Sequence, residues 1–450
     1  MGRAVLHSSA PAMRLLRFAV LIVVAACGND KTSTPSKPAG APVPVVAAPA
    51  PETGSPAGSA TGSAADPALP KPADNPVAKQ AGPAPGGHDF TPEGRALFIV
   101  GACGEGTSPE AEVVPAARRK RHCDVVSAAQ TEYIDRWVGK ARAFFVERVP
   151  KDAPKKVVYP FAGGDLSTAL TVYPDADEIT TLSLEPAGDP RTLAVLKGAE
   201  LDAALGKVEY ELKWLYRVNF SNTLNMIEAM RGGRLPTQLI FGLSALKLHG
   251  YELAAVRYFR IEDDGSLHYL DDNDIAAAPV PDKATTAEKR NMVFANVEVQ
   301  FKKPGGSIQV WRHIRANLGN ETSKGIGPGL KEDPRVLRHL ELKGPIAGMT
   351  KAASYLLSWD TFSLMRDYLT AHVVWMASDA TGVAPKWGKK AGFEYETYGV
   401  FEGPHIEAGN GISADWAKEF AAEPKRALKF RFGYYDKKFR NHLVLMKRKA

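Results

Sequence analysis

Three carboxylates, Asp165, Glu185 and Asp379, each stand just after a short apolar run that reads as a β-strand. If those strands lie parallel in one sheet, their C-terminal ends open onto a common crevice, the usual ligand position in α/β sheets. A carboxylate trio there could bind a cation or sugar hydroxyls, or serve as acid and base in hydrolysis. Each also has a plainer role open to it, as helix cap, turn residue or ion-pair partner. No catalytic residue is assigned beyond these three candidates.

The segment from Val157 to Glu185 places such residues in order. A strand, Lys156-Val-Val-Tyr159, runs into Pro160-Phe-Ala-Gly-Gly-Asp165 and then a helix through Leu166, Ala169 and Leu170. A second strand, Glu178 to Leu184, ends at Glu185. In nucleotide-binding βαβ units, backbone N–H groups and a helix N-terminus face the ligand, and the later carboxylate takes ribose hydroxyls. Gly163, Gly164, Asp165 and Glu185 are therefore the candidate ligand-binding residues. Only two glycines replace a full G-x-G-x-x-G, Pro160 stiffens the turn, and Asp165 puts a negative charge where a phosphate would sit. A loop that merely turns the chain explains the segment as well.

Other reactive types lead less far. His313 lies within a strand-like run and reads as structural. Ser354 follows Lys351, whereas S-x-x-K chemistry needs the serine first, and neither G-x-S-x-G nor H-E-x-x-H occurs. No His or Cys spacing suggests a metal, and no cofactor is assigned. Trp311, Tyr355, Trp359, Trp375 and Trp387 could form a sugar platform, but packing accounts for those on strand-like segments.

The positioning elements read as follows. An amphipathic helix spans Asp124 to Val149. A long helical stretch, interrupted near Gly206, runs from Thr192 to Met230, and another helix passes through Ile240, Leu243 and Leu246 to a stop at His249-Gly250. Period two then takes over, with hairpins around Asp263-Asp264-Gly265 and Pro304-Gly305-Gly306. Ala352 to Leu357 and Val373 to Ala377 read as buried strands flanking a helix from Phe362 to His372. Lys429 to Tyr434 and His442 to Met446 read as a final hairpin. The expected fold is α/β: a Rossmann-like mixed sheet with helices on both faces and added antiparallel hairpins.

Ahead of this head, residues 1–26 read as a secretory signal peptide. Arg14 and Arg17 precede the apolar run Phe18 to Ala26, which is shorter than the roughly 20 residues of a transmembrane helix. Met1 and Met13 both serve as possible starts. Residues 27–89 are dominated by Pro, Ala, Gly and Ser, with thirteen of the 33 prolines, too little apolar surface to fold. They are expected to be a disordered tether of roughly 40 to 45 Å, with the globular domain at residues 90–450. Loss of the signal arginines takes the formal charge from +7 to about +4, too mild to argue for nucleic acid. The cluster Arg118-Arg119-Lys120-Arg121-His122 reads as a solvated loop, with contact to anionic lipid or envelope polysaccharide as the alternative. Cys103 and Cys123 form an even pair, for which a disulfide is expected.

Val24-Ala25-Ala26-Cys27 resembles the bacterial lipobox. That implies a lipidated Cys27, membrane attachment through acyl chains, and a place in the cell envelope, with Gly28 leaning towards the outer membrane. The partner would be an envelope component or a small molecule. The βαβ segment resembles the start of a class I methyltransferase, which implies a sulfonium nucleoside cofactor. Export from the cytosol argues against S-adenosylmethionine. Tyr159-Pro-Phe-Ala-Gly-Gly-Asp165, Leu184-Glu-Pro-Ala-Gly188, Phe220-Ser-Asn-Thr223, Lys351-Ala-Ala-Ser-Tyr355, Ser378-Asp-Ala-Thr-Gly382 and Tyr398-Gly399 resemble landmarks of an uncharacterised family of secreted or lipid-anchored bacterial proteins. That resemblance implies a fold and no activity. The sequence thus favours a binding head on a tether, over a hydrolase-type enzyme and, last, a methyltransferase.

Overall fold

Val157 and Tyr159 of the first strand belong to one buried apolar cluster, and Val158 between them belongs to another. Trp375 and Ala377 against Met376, and Leu443 and Leu445 against Val444 and Met446, divide the same way. This period of two means a sheet buried on both faces, the setting in which strands read as continuous apolar runs. The computed structural model describes residues 87–219, 234–324, 326–401, 411–433 and 442–449. All of them fall in one compact unit, Asp66–Ala450. The signal peptide, Cys27, the proline-rich tether as far as residue 86, Phe220 to Thr223 and the turn Asp436 to Asn441 lie outside the described residues.

The strands are β1 (Lys156–Pro160), β2 (Glu178–Ser183), β3 (Glu252–Ile261), β4 (Leu267–Tyr269), β5 (Asn296–Lys302), β6 (Gln309–Arg315), β7 (Ile346–Thr350), β8 (Val373–Ser378), β9 (Phe393–Gly399) and β10 (His442–Arg448). They form one 10-stranded sheet in the order β4-β3-β5-β6-β2-β1-β7-β8-β10-β9. The core β6-β2-β1-β7-β8 is parallel, and antiparallel pairs extend it at both edges. From β1 the chain steps outward through β2 to β6, then returns to the other side of β1 for β7 and β8. That reversal is a topological switch point, beside which ligands bind in open α/β sheets.

One face is covered by helices α1 (Thr91–Val100), α2 (Ala116–Tyr133), α3 (Gly139–Val146), α4 (Leu166–Val172) and α5 (Gly198–Val218), with the helix Thr237–Leu248. The other carries Arg335–Glu341, Ser363–His372, Pro385–Gly388 and Gly411–Ala422. A wider π-type turn at Ile134–Val138 joins α2 to α3, so the expected helix is present and starts earlier. The two expected hairpins are β3–β4 and β5–β6.

Several local expectations differ from the structure. The basic cluster at Arg118 to His122 lies on α2, where Arg118 meets Asp202 at 2.8 Å and His122 is buried against the Gly101 carbonyl at 3.0 Å. Helix α5 continues through Gly206, a cost of about 1 kcal/mol that the rest of its buried face absorbs. Ala352–Ser358 is a 3₁₀ turn rather than a strand, because Ala352 adopts a left-handed φ of 58° that takes the chain out of the sheet. Residues 429–433 join no ladder: the Arg431 carbonyl accepts from the Trp137 indole and, at 3.3 Å, from Asn219 Nδ2. β10 pairs with β9 instead.

Candidate functional site

The ends of β1, β2, β7 and β8 bring Asp165, Glu185, Lys351 and Asp379 to one edge of the parallel core, all of them buried. After Pro160 the chain turns through Phe161 at φ 58° and Gly163 at φ 51°. Two amides of this turn are spent internally, Ala162 N–H on Leu182 O at 3.0 Å and Asp165 N–H on Ala162 O at 3.1 Å. Gly163 O accepts from Gln238 Nε2 at 2.5 Å. A Cβ at Gly164 would run into the ring of Phe241, so helix packing explains this glycine without any phosphate. Two of the turn's donors thus go to backbone carbonyls, one in β2 and one in the turn, where a phosphate cradle would aim them at a ligand.

Asp165 caps α4, accepting Thr168 N–H at 3.3 Å and Thr168 Oγ1–H at 2.8 Å on Oδ1. Its Oδ2 accepts from Tyr159 OH at 3.1 Å and forms a fully buried ion pair with Lys351. Lys351 Nζ also donates to Thr168 Oγ1 at 2.7 Å and lies over the rings of Trp137 and Phe432, at 5.8 and 5.7 Å. Burial draws this ammonium below the usual lysine range, and Asp165 opposes the effect. Burial, with Asp165 adding to it, drives the Tyr159 hydroxyl well above the ordinary tyrosine value.

Asp379 is tied to the turn after β7. Its Oδ2 accepts Ala352 N–H at 2.8 Å, and its Oδ1 accepts Thr381 N–H at 3.0 Å together with Thr381 Oγ1–H. Ser354 Oγ stands 3.5 Å from Oδ1 and 2.7 Å from Thr381 Oγ1. The backbone of Gly433 presses on the same carboxylate, leaving no room for a Cβ. Glu185 is buried one strand along, with its carbonyl 2.7 Å from His313 Nε2. Burial lowers Arg315 at the end of β6, and the Glu185 charge works against that lowering. His313 is itself held down to about 4 by burial, so it is neutral at ordinary pH.

All three expected carboxylates stand at the C-terminal ends of parallel strands, Asp165 and Asp379 on either side of Lys351 and Glu185 one strand along beside His313. Lys351, the cation among them, was weighed in the sequence only as a partner of Ser354, and its pairing with Asp165 was missed. Its signal is a charged residue directly after the buried strand Ile346–Thr350, which is short and contains Gly348. A Cβ at Gly348 would approach Val373 and Met376 to 3.0 and 3.1 Å, so the glycine serves strand packing and obscures the strand. The aromatic residues form no common platform: Trp311 and Trp375 are core residues of one face, while Trp387 packs on the other beneath Arg366 at 4.0 Å. Trp359 is 47% exposed beside Tyr355.

Cys103 and Cys123 stand at disulfide distance, with Cα atoms 5.3 Å apart. His268, Asp271 and Asp274 cluster on the β4 side. Asp271 is consumed as a helix cap and Asp274 faces Arg260 at 2.8 Å. Among the described residues no helix is long and apolar enough to cross a membrane. No protein-family model matches the chain, and neither a curated protein nor a solved structure does.

Proposed function

We propose that this is a lipid-anchored protein of the bacterial cell envelope, whose head binds a ligand or partner and uses its strand-end carboxylates to hold the fold together. One observation carries the second half of this reading. Asp165 is held by Lys351, Tyr159 and Thr168, and Asp379 by the backbone amides of Ala352 and Thr381. A general acid or base must exchange its proton with substrate, and a carboxylate whose lone pairs are already committed is poorly placed to do so. The first half rests on the sequence around Cys27.

The test is a turnover screen of the full-length protein on glycan, ester and phosphoester panels, run with Asp165→Asn and Asp379→Asn. The expected result is no turnover, with both variants less stable than the parent. A turnover that disappears in Asp379→Asn while thermal stability is kept overturns the binding reading and restores the hydrolase. For the anchor, Cys27→Ala is expected to leave the membrane fraction and lose palmitate labelling. Retention with unchanged mobility overturns lipidation.

The sheet order favours a second reading. With Glu185 after the second strand of a switch-point sheet, a ligand carrying ribose hydroxyls has a carboxylate in the appropriate place. S-adenosylmethionine is one such ligand. Micromolar affinity for the labelled cofactor in equilibrium dialysis would establish that reading, and loss of that affinity in Glu185→Gln would locate it.

A further inference from the structure

Helices α2 and α5 run side by side in the same direction, as the pairs Arg118–Asp202, His122–Glu209 and Tyr133–Tyr216 show. Between them lies an open groove of about 580 Å³, within the usual range for small-ligand sites. Ala129 and Gly206 lie along it, and a Cβ at Gly206 would meet nothing within 4 Å. Gly206, Tyr210, Lys213, Trp214 and Arg217 recur at helical spacing, so one face of α5 lines the groove.

The side chains on that face are committed to little else. Tyr210 is 64% exposed. Trp214 Nε1 is buried and finds no acceptor among the described residues, an orphaned donor of the kind that native proteins rarely leave. Neither Lys213 nor Arg217 has a carboxylate partner among the described residues. The two acids of the groove are engaged, Glu132 by Arg136 at 3.6 Å and Glu209 by His122 at 3.0 Å.

We infer that this groove is a binding site for an acidic saccharide, a pyranose ring carrying a carboxylate. Ring faces of Tyr210 and Trp214 suit the C–H face of a sugar, the indole N–H needs an oxygen acceptor, and Lys213 and Arg217 supply charge for a carboxylate. Glu132 and Glu209 can accept sugar hydroxyls, and their charge disfavours a polyphosphate such as a nucleotide. The site is distinct from the strand-end carboxylates. It gives the binding head a ligand class, and rests on that reading only in its choice of an envelope glycan.

The experiment is calorimetric titration of the full-length protein in detergent with an oligogalacturonate, its methyl ester, a neutral oligosaccharide and acetate. The acid oligomer is expected to bind, with the ester and neutral sugar at least about tenfold weaker and acetate silent. Tyr210→Ala and the pair Lys213→Gln with Arg217→Gln should each cost about tenfold, the latter abolishing the preference for acid over ester. Trp214→Phe, which keeps a ring and loses the N–H, should cost several-fold at unchanged thermal stability. No binding, equal binding of the ester, binding of acetate alone, or full affinity in well-folded Tyr210→Ala would each overturn the assignment. Failure of the anchor would appear in fractionation and leave these titrations untouched.

Discussion

The Lys351 ammonium and the Asp165 carboxylate meet as a buried ion pair between the ends of β7 and β1, the two strands that flank the switch point. The pair bolts together the very place where an open α/β sheet would admit a ligand. Removing one partner of such a pair strands a charge in the interior, at a cost of about 3–5 kcal/mol. Lys351→Met is therefore expected to lower the denaturation midpoint sharply. Pairing it with Asp165→Asn should recover part of the loss, because the Asp165 charge is then no longer buried without its partner. A Lys351→Met protein as stable as the parent would mean that the pair is not structural.

Gly433 lies against the Asp379 carboxylate, and its backbone sits at φ 65°. Gly305 provides the control, at φ 71° with nothing within 4 Å of a Cβ. Gly305→Ala is expected to cost only the left-handed conformation, about 1–2 kcal/mol. Gly433→Ala adds the collision with the Asp379 carboxylate, about 1–3 kcal/mol more on the scale of overpacked cores. Urea titrations of the two variants check this directly. Equal losses would show that the segment near Gly433 yields easily and that the strand ends are accessible.

Much of this region was legible in the sequence, because its signals are local. The apolar run at Val157 to Tyr159, the cap at Asp165 and the strand ending before Glu185 all lie within one βαβ stretch. What could not be read were the donors distant in sequence, Lys351 on Asp165 and the Ala352 amide on Asp379, which arrive from other elements. β7 was missed for a related reason: Gly348 weakens its strand pattern, and its fitness is visible only against Val373 and Met376. Phe430 and Phe432 misled in the opposite direction. Their alternation resembles a strand and both are buried, but the carbonyl between them serves Trp137 and Asn219.

Acid should find the buried histidines. His313 is fully enclosed and held near 4, below the ordinary value of about 6.5, chiefly by burial. Between those two pH values the unfolded chain takes up a proton that the folded chain refuses. Stability from this group is thus present above pH 6.5 and is lost as pH falls towards 4. The slope is at most about 1.4 kcal/mol per pH unit for one group. His313→Gln, which keeps a donor for the Glu185 carbonyl, should flatten the dependence in that window relative to the parent. Identical slopes in parent and variant would mean that His313 titrates normally in the folded state.

The pair Cys103 and Cys123 joins the turn after α1 to α2, and α2 continues into the run carrying Trp137 over Lys351. A bond closing a loop of this length contributes about 3 kcal/mol on the chain-entropy model. Reductant is therefore expected to lower the denaturation midpoint of the parent and to leave Cys103→Ser with Cys123→Ser unchanged. Peptide mapping without reductant should recover the two cysteines in one cross-linked species. Two separately buried thiols would give the other pattern, unlinked peptides and a midpoint indifferent to reductant. Because the staple lies on the covering helix and not on the sheet, its loss should raise hydrogen exchange first along α2 and α3. Exchange that rises evenly over the sheet instead would show that helix and sheet unfold as one unit.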